Sequence, residues 1–138
     1  MVLLDAYALL AFFKNEKAAD EVAALLRRES AVSAVNLAEV SDHLIRIQHC
    51  EPEVAKLQIA RLLQTNLLVI PLDEHLASRA GEIRAHFYDA RACALSMADC
   101  CAMANALVHA IPLATSDPAI LNVMRKLGGQ LVELPGSG

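Results

Sequence analysis

Four acidic residues of this chain lie where a short apolar run gives way to a helical pattern, namely Asp5, Glu39, Asp99 and Asp117. Asp5 is the most informative, because it follows the opening apolar run Met1 to Leu4 and so ends the first predicted strand. In an open α/β sheet, ligands bind in the crevice beyond the carboxyl ends of the strands. Asp5 is therefore the first candidate for a functional residue.

Carboxylate oxygens are the ligands that Mg²⁺ and Mn²⁺ prefer in proteins. Three or four carboxylates that converge on one point repel one another unless a cation neutralises them. A bound cation lowers the pKa of a water molecule, positions it against a phosphodiester and stabilises charge on the phosphate oxygens. The four acids therefore point to metal-assisted hydrolysis of a phosphoryl ester, with all four as candidate metal ligands.

Three of the four acids also have the spacing of helix caps. The pairs are Asn36 with Glu39, Ser96 with Asp99, and Asp117 with Pro118. The first two resemble capping boxes, and the third resembles an N-cap followed by proline at the first helical position. Asp5 fits a capping role less well, since a carboxylate that ends an apolar strand is costly to bury without a partner. Helix capping alone does not explain an acid at the end of the first strand, so the four acids taken together favour a shared functional site.

Strand-like apolar runs alternate with helical spacing along the whole chain. Strands are predicted at Met1 to Leu4, Ala31 to Val35, Leu67 to Leu72, Ile111 to Thr115 and Gln130 to Leu134. Helices are predicted at Ala6 to Phe13, Ala18 to Arg28, Leu37 to Gln48, Pro52 to Leu63, Glu74 to Phe87, Met97 to His109 and Pro118 to Leu127. This alternation is typical of a mostly parallel α/β sheet with helices on both faces. It allows all four acids to lie on one edge of the sheet.

Length and composition predict one domain over residues 1–134 and a flexible tail at 135–138. A chain of 138 residues that is 56% hydrophobic is long enough to bury a core. The net charge of -4 weighs against nucleic-acid binding by bulk electrostatics, although a cation at the acids would change the local sign. The first residues lack the basic leader of a signal peptide, and the run Ala6 to Phe13 is too short to span a bilayer. We therefore expect a cytoplasmic protein with no membrane association and reduced cysteines.

Four segments, taken in order, resemble the PIN domain and, within that superfamily, the VapC-type ribonuclease toxins of toxin–antitoxin modules. They are VLLDAYALLA at the start, SAVNLAEV around Glu39, LSMADCCAMANAL around Asp99 and PLATSD near the end. The resemblance implies a three-layer α/β/α fold, Mg²⁺- or Mn²⁺-dependent endoribonuclease activity, a cognate antitoxin and a homodimer. It matches Asp5, Glu39, Asp99 and Asp117 to the acidic quartet. It also matches Thr115 to the hydroxyl residue that often precedes the fourth acid.

The chain departs from its relatives at two places. Many relatives carry a further acid shortly after the fourth, whereas Pro118 to Leu121 contains none, which puts a second metal in doubt. Tyr7 stands where relatives commonly have a small residue. It could narrow access to the site or hydrogen-bond a phosphate, or it could be a half-buried aromatic with its hydroxyl at the surface.

Several cations and one histidine are candidates for contacts around the site. Arg46, Arg84 and Arg91 are candidates for phosphate contacts, and His43 shares a helix face with Glu39. Apolar helices such as Ala18 to Leu26 predict a surface for a protein partner, with an antitoxin segment in a groove between the early helices.

Two other functions are weighed against a ribonuclease toxin. The aspartyl-phosphate phosphatases also end strand one with Asp, but they need a second Asp two positions later, where this chain has Tyr7. The other alternative is a PIN-like domain that acts as a non-catalytic RNA- or protein-binding module. That reading is weakened by the presence of all four acids.

Overall fold

A five-stranded parallel sheet forms the centre of the protein in the computed structural model, which describes residues 1–136. The strands are β1 (Val2–Leu4), β2 (Ser30–Ser33), β3 (Leu67–Ile70), β4 (Leu113–Thr115) and β5 (Leu131–Glu133). Each neighbouring pair is parallel, and the strand order is β3-β2-β1-β4-β5. The chain adds β2 and β3 on one side of β1 and then β4 and β5 on the other. The order of connection therefore reverses between β1 and β4.

Seven α-helices connect and cover these strands within residues 1–136. They are α1 (Ala6–Phe13), α2 (Ala19–Leu26), α3 (Ala34–Asp42), α4 (Pro52–Leu63), α5 (Glu74–Phe87), α6 (Met97–His109) and α7 (Pro118–Lys126). The predicted bounds of α1, α4, α5 and α6 are confirmed to the residue. None of the helices in this part of the chain is long and apolar enough to cross a membrane.

The core consists of two layers of apolar side chains, one on each face of the sheet. Successive residues of a strand point to opposite faces, so Leu4 packs in the layer beneath α1, α2 and α4, whereas Leu3 packs in the layer beneath α5, α6 and α7. Both leucines are fully buried. The predicted three-layer α/β/α architecture is confirmed, with a sheet that is parallel throughout.

The start of α3 differs from the prediction. The second strand ends at Ser33, whose Oγ accepts a hydrogen bond from the Val35 N–H at 3.1 Å and caps the helix. The apolar pair Ala34 and Val35 continues the strand-like pattern in sequence, but a serine N-cap starts the helix before them. Glu39 therefore lies in the second turn of α3 and not in the first.

The predicted helix Leu37 to Gln48 also changes type along its length. After α3 ends at Asp42, His43–Ile47 forms a π-helical segment, closed by a hydrogen bond of 3.1 Å from the Gln48 N–H to the His43 carbonyl. Such wide turns occur mostly as short insertions in α-helices and are frequent at functional sites. Periodicity in sequence does not distinguish them from ordinary helix.

The last helix ends at Lys126, one residue before the predicted end. Gly128 follows with a φ of 72°, a conformation that glycine adopts without steric cost. Pro135 and Gly136 belong to neither helix nor strand, and residues 137–138 of the predicted tail lie outside the described residues. The division into one domain (1–134) and a tail (135–138) stays a prediction.

Candidate active site

The candidate site lies where the carboxyl ends of β1 and β4 meet. The Thr115 hydroxyl, at the end of β4, donates a hydrogen bond of 2.5 Å to Oδ2 of Asp5, which follows β1. These two residues are 110 positions apart in sequence. The strand order reverses between β1 and β4, and in open α/β sheets this switch point is where ligands bind.

Asp5 is a helix cap, contrary to the prediction. Its Oδ1 accepts a hydrogen bond of 2.8 Å from the Ala8 N–H, which makes it the N-cap of α1. The sequence argument counted the cost of burying this carboxylate without partners, whereas the Ala8 N–H and the Thr115 hydroxyl both donate to it. One residue therefore ends the strand and caps the helix. Capping and ligand binding are thus not alternatives at this position.

Burial gives the Asp5 carboxyl unusual acid–base properties. The residue is 2% exposed. Burial, together with the negative charges of Asp99 and Asp117, raises its pKa from 3.8 to about 6, against the opposing effect of the hydrogen bonds from Thr115 and Ala8. The charged form is therefore costly at neutral pH, and a cation beside it would relieve that cost.

Asp117 caps α7, as its spacing predicted. Its Oδ1 accepts a hydrogen bond of 2.8 Å from the Ala119 N–H. Its own N–H donates to the Thr115 hydroxyl oxygen at 3.1 Å. Thr115 thus links Asp5 to Asp117, since its hydroxyl donates to one residue and accepts from the other.

Asp99 belongs to a capping box, which confirms the second predicted cap. The Ser96 hydroxyl accepts from the Asp99 N–H, and Oδ2 of Asp99 accepts from the Ser96 N–H, both at 3.0 Å. Asp99 is half-buried, and burial, with the charge of Asp117, raises the pKa of its carboxyl. The cap fixes this carboxylate at the start of α6.

Glu39 reaches the same region from α3, which contacts α6. Burial and the charges of Asp99 and Asp42 raise the pKa of its carboxyl. Asn36 is not its N-cap partner; the Asn36 side chain is 1% exposed and donates from Nδ2 to Oε1 of Glu39 at 2.8 Å. Sequence reasoning missed this supporting role, although the three-residue spacing on one helix could have indicated it.

The charge of these four acids is not compensated by basic side chains. Among the residues that the structure describes, the ion pairs of lysine and arginine involve other acids. After burial, the negative charge of Asp99 contributes to the raised pKa of both Asp5 and Glu39. This excess of oxygen donors and negative charge fits a hard divalent cation.

The predicted set of four metal ligands is not assembled as such. Over residues 1–136, no three His, Cys, Asp or Glu side chains are placed to hold a metal ion together. Each of the four carboxylates is instead turned toward a local donor, at Ala8, Asn36, Ser96 or Ala119. Binding of one ion by Asp5, Glu39, Asp99 and Asp117 stays a prediction.

Two of the three arginines predicted to contact phosphate have structural partners. Arg46 pairs with Asp42 at 2.9 Å on the exposed face of its helix. Arg84 donates from Nε to the Leu95 carbonyl at 3.0 Å, and its guanidinium carbon lies 4.3 Å from the ring centroid of Tyr88. It thereby holds the segment that leads into α6, whereas Arg91 is exposed.

Tyr7 and His43 meet at the edge of the site. Together they line a depression of about 140 Å³ between α1 and the π-helical segment. Tyr7 is 59% exposed, so it is not the half-buried aromatic considered from the sequence.

A comparison with protein families decides the classification. The PIN domain profile matches residues 2–126, nearly the entire chain. The chain belongs to the PIN domain family. No curated protein sequence matches it significantly.

Solved structures with the same PIN domain fold include toxins of several bacteria. A chain of a toxin–antitoxin complex from Klebsiella pneumoniae has 17% identity and a TM-score of 0.69, with 96% of each chain covered. A chain of VapBC2 from Rickettsia felis, bound to a promoter DNA fragment, has 17% identity and a TM-score of 0.71. The match covers 98% of this chain and 100% of that one. VapC20 of Mycobacterium tuberculosis, a toxin that cleaves the sarcin–ricin loop, has 17% identity and a TM-score of 0.70. The match covers 88% of this chain and 94% of that one. At this identity, the likeness shows the shared fold.

Proposed function

We propose that this PIN domain is a VapC-type toxin, an endoribonuclease that depends on Mg²⁺ or Mn²⁺ and is neutralised by a cognate antitoxin. The observation that carries the proposal is the uncompensated group of acids at the switch point between β1 and β4, with the Asp5 pKa raised to about 6. The structural similarity to VapC20, a sarcin–ricin loop cleaving toxin, supports RNA as the substrate.

Asp5, Glu39, Asp99 and Asp117 would hold the cation. When bound, a divalent cation activates water and stabilises negative charge on the phosphate oxygens. Thr115 positions the Asp5 carboxylate through its hydroxyl, and Asn36 does the same for Glu39. Asp117 is half-buried at the opening of the site, where it is accessible to a substrate.

An apolar groove between α1, α2 and α4 supports an antitoxin as the partner. It has a volume of about 540 Å³ and a floor that includes Phe12, Phe13 and Leu62, with Arg27 and Arg61 also in its lining. Such a surface suits an amphipathic segment with apolar and acidic side chains. We propose that the antitoxin segment lies in this groove, as the sequence predicted.

The proposed homodimer has a candidate surface at the open edge of the sheet. β3 is an edge strand, and its Leu68 and Val69 are 57% and 37% exposed. Leu72, shortly after the strand, is 44% exposed. Exposed apolar edges of this kind are typical of interfaces.

The experiment is RNA cleavage with and without metal, compared among the wild type, Asp99→Asn and Asp73→Asn. Asp73 is a matched control because it caps α5 by accepting from the Leu76 N–H at 2.8 Å, as a carboxylate outside the candidate site. We expect cleavage of single-stranded RNA with Mn²⁺ by the wild type and Asp73→Asn, and none by Asp99→Asn. Cleavage that persists in excess EDTA would rule out the metal mechanism. A wild type that neither cuts RNA nor is stabilised by Mn²⁺ would support the non-catalytic alternative.

A further inference from the structure

Tyr7 is an exposed aromatic side chain at the mouth of the candidate site. It lies in the first turn of α1, two residues after Asp5, and 59% of its surface is exposed while Ala6 and Ala8 on either side are buried. Its ring therefore contributes little to the core. An exposed tyrosine ring beside a catalytic group is free to stack on a ligand.

Tyr7 also lines a second depression, which adjoins the one that it shares with His43 and has Ser116 in common with it. This second depression has a volume of about 390 Å³ and is lined by Tyr7, Ser116, Asp117, Pro118 and Gly136. It opens beside Asp117, whose backbone is tied through Thr115 to Asp5. A group that occupies it is therefore next to the proposed reaction centre.

The residues that line this depression suit a nucleobase better than a phosphate. Among the residues that the structure describes, the lining holds one carboxylate, the hydroxyls of Tyr7 and Ser116, and no lysine or arginine. The described part of the lining offers no cation of its own to a phosphate, which the metal ion at the acids would hold instead. A neutral, flat base offers a π-face to Tyr7 and hydrogen-bonding groups to Ser116. Pro118, which is exposed, supplies an apolar surface.

We propose that Tyr7 and this depression bind a nucleobase of the RNA, next to the phosphodiester that is cut. The inference rests on the proposed ribonuclease function and adds a base subsite to it. Stacking of a base on an aromatic side chain tolerates every base, because each has a π-face. Tyr7 therefore positions the substrate, and the Ser116 hydroxyl beside it can hydrogen-bond the base.

Tyrosine fluorescence tests the stacking directly, because the chain has two tyrosines and no tryptophan. In a Tyr88→Phe background, which keeps an aromatic ring against Arg84, Tyr7 is the one remaining tyrosine. The probes are oligoadenylate, oligocytidylate and an abasic ribose-phosphate oligomer of the same length. Each is mixed with the protein and Mg²⁺ by stopped flow, so that the emission is read before cleavage. We expect the two oligonucleotides to quench the emission and the abasic oligomer to leave it unchanged. Equal responses to all three, or no response to any, would overturn the proposal.

Cleavage kinetics supply the second readout. Tyr7→Leu keeps an apolar helix-forming side chain and removes the ring, so the fold should hold, as circular dichroism will check. We expect its KM for RNA to rise roughly 5- to 100-fold with a much smaller change in kcat, and Tyr7→Phe to restore most of the loss. Wild-type cleavage with an unchanged KM for Tyr7→Leu would refute the base subsite alone. A wild type that cuts no RNA with Mn²⁺ would instead refute the ribonuclease proposal.

Discussion

Replacing Asp5 with asparagine should stabilise the metal-free protein at neutral pH while it abolishes activity. Asparagine keeps an oxygen that can accept from the Ala8 N–H and so preserves the cap of α1. It removes the buried charge. Proteins that keep a destabilising charge in a functional site commonly become more stable when that charge is removed.

The magnitude follows from the pKa of the buried carboxyl. The Asp5 pKa rises from 3.8 to about 6 on folding, and at 1.36 kcal/mol per pKa unit this corresponds to about 3 kcal/mol. Because the folded state holds the proton more tightly than the unfolded state, wild-type stability falls as pH rises from about 4 to about 6. Asparagine does not ionise, so the variant does not lose this stability as the pH rises. Its advantage over the wild type should therefore grow by about 3 kcal/mol across that pH window.

The assay is denaturant unfolding of both proteins in EDTA, at about pH 4 and about pH 8. Glu39 and Asp99 also have raised pKa values, but they are present in both proteins, so the difference isolates Asp5. A free-energy difference that does not change between the two pH values would refute the buried, uncompensated state of Asp5. RNA cleavage measured on the same samples should be lost in the variant.

Three further predictions concern the residues around Asp5. Thr115→Val leaves a buried carboxylate oxygen without its donor, so it should cost about 1–3 kcal/mol in unfolding free energy and move the pH–rate profile to higher pH. The control is Thr65→Val, because the Thr65 hydroxyl, just after α4, donates to the Leu62 carbonyl at 2.6 Å. This control should leave the pH–rate profile unchanged, and equal shifts in the two variants would contradict the assigned role. The unfolding free energy of Asp117→Ser should stay within a few tenths of a kcal/mol of the wild type, whereas Asp117→Ala should lose about 0.5–2 kcal/mol. Calorimetry should nevertheless show weaker Mn²⁺ binding in both variants. Unchanged binding would leave Asp117 as a cap alone. Arg84→Met removes the hydrogen bond to the Leu95 carbonyl, so thermal unfolding should show a loss of stability of about 1–3 kcal/mol. Cleavage should also be slower, because the segment that leads into α6 and Asp99 is held less firmly. A variant with unchanged stability and cleavage would show that this contact is dispensable.

Local signals in the sequence were sufficient for most of the elements. The helices α4 and α5 were predicted to the residue because a proline at the first helical position and an Asp N-cap mark their starts. The capping box at Ser96 and Asp99 was likewise readable from its spacing. Errors fell where two patterns overlap, as at Ala34 and Val35, which are apolar enough for a strand and follow a serine N-cap.

The contacts that assemble the site could not be predicted from local patterns. Thr115 was identified by resemblance to a family, and its hydrogen bond to Asp5 depends on β1 and β4 being neighbours in the sheet. Strand order is not encoded in the spacing of apolar residues, because it depends on how the helices pack. The burial of Asp5, which raises its pKa, is a further consequence of this tertiary arrangement.

Titration of the protein with Mn²⁺ by calorimetry, in parallel with RNA cleavage over the same metal concentrations, tests the central claim most directly. The account predicts that the wild type binds Mn²⁺ and that cleavage rises with the occupancy of that site. It predicts that Asp73→Asn behaves in the same way and that Asp99→Asn loses both binding and cleavage. Cleavage by the wild type without bound metal, or unchanged Mn²⁺ affinity in Asp99→Asn, would contradict the proposal that the acids at the switch point hold a catalytic cation.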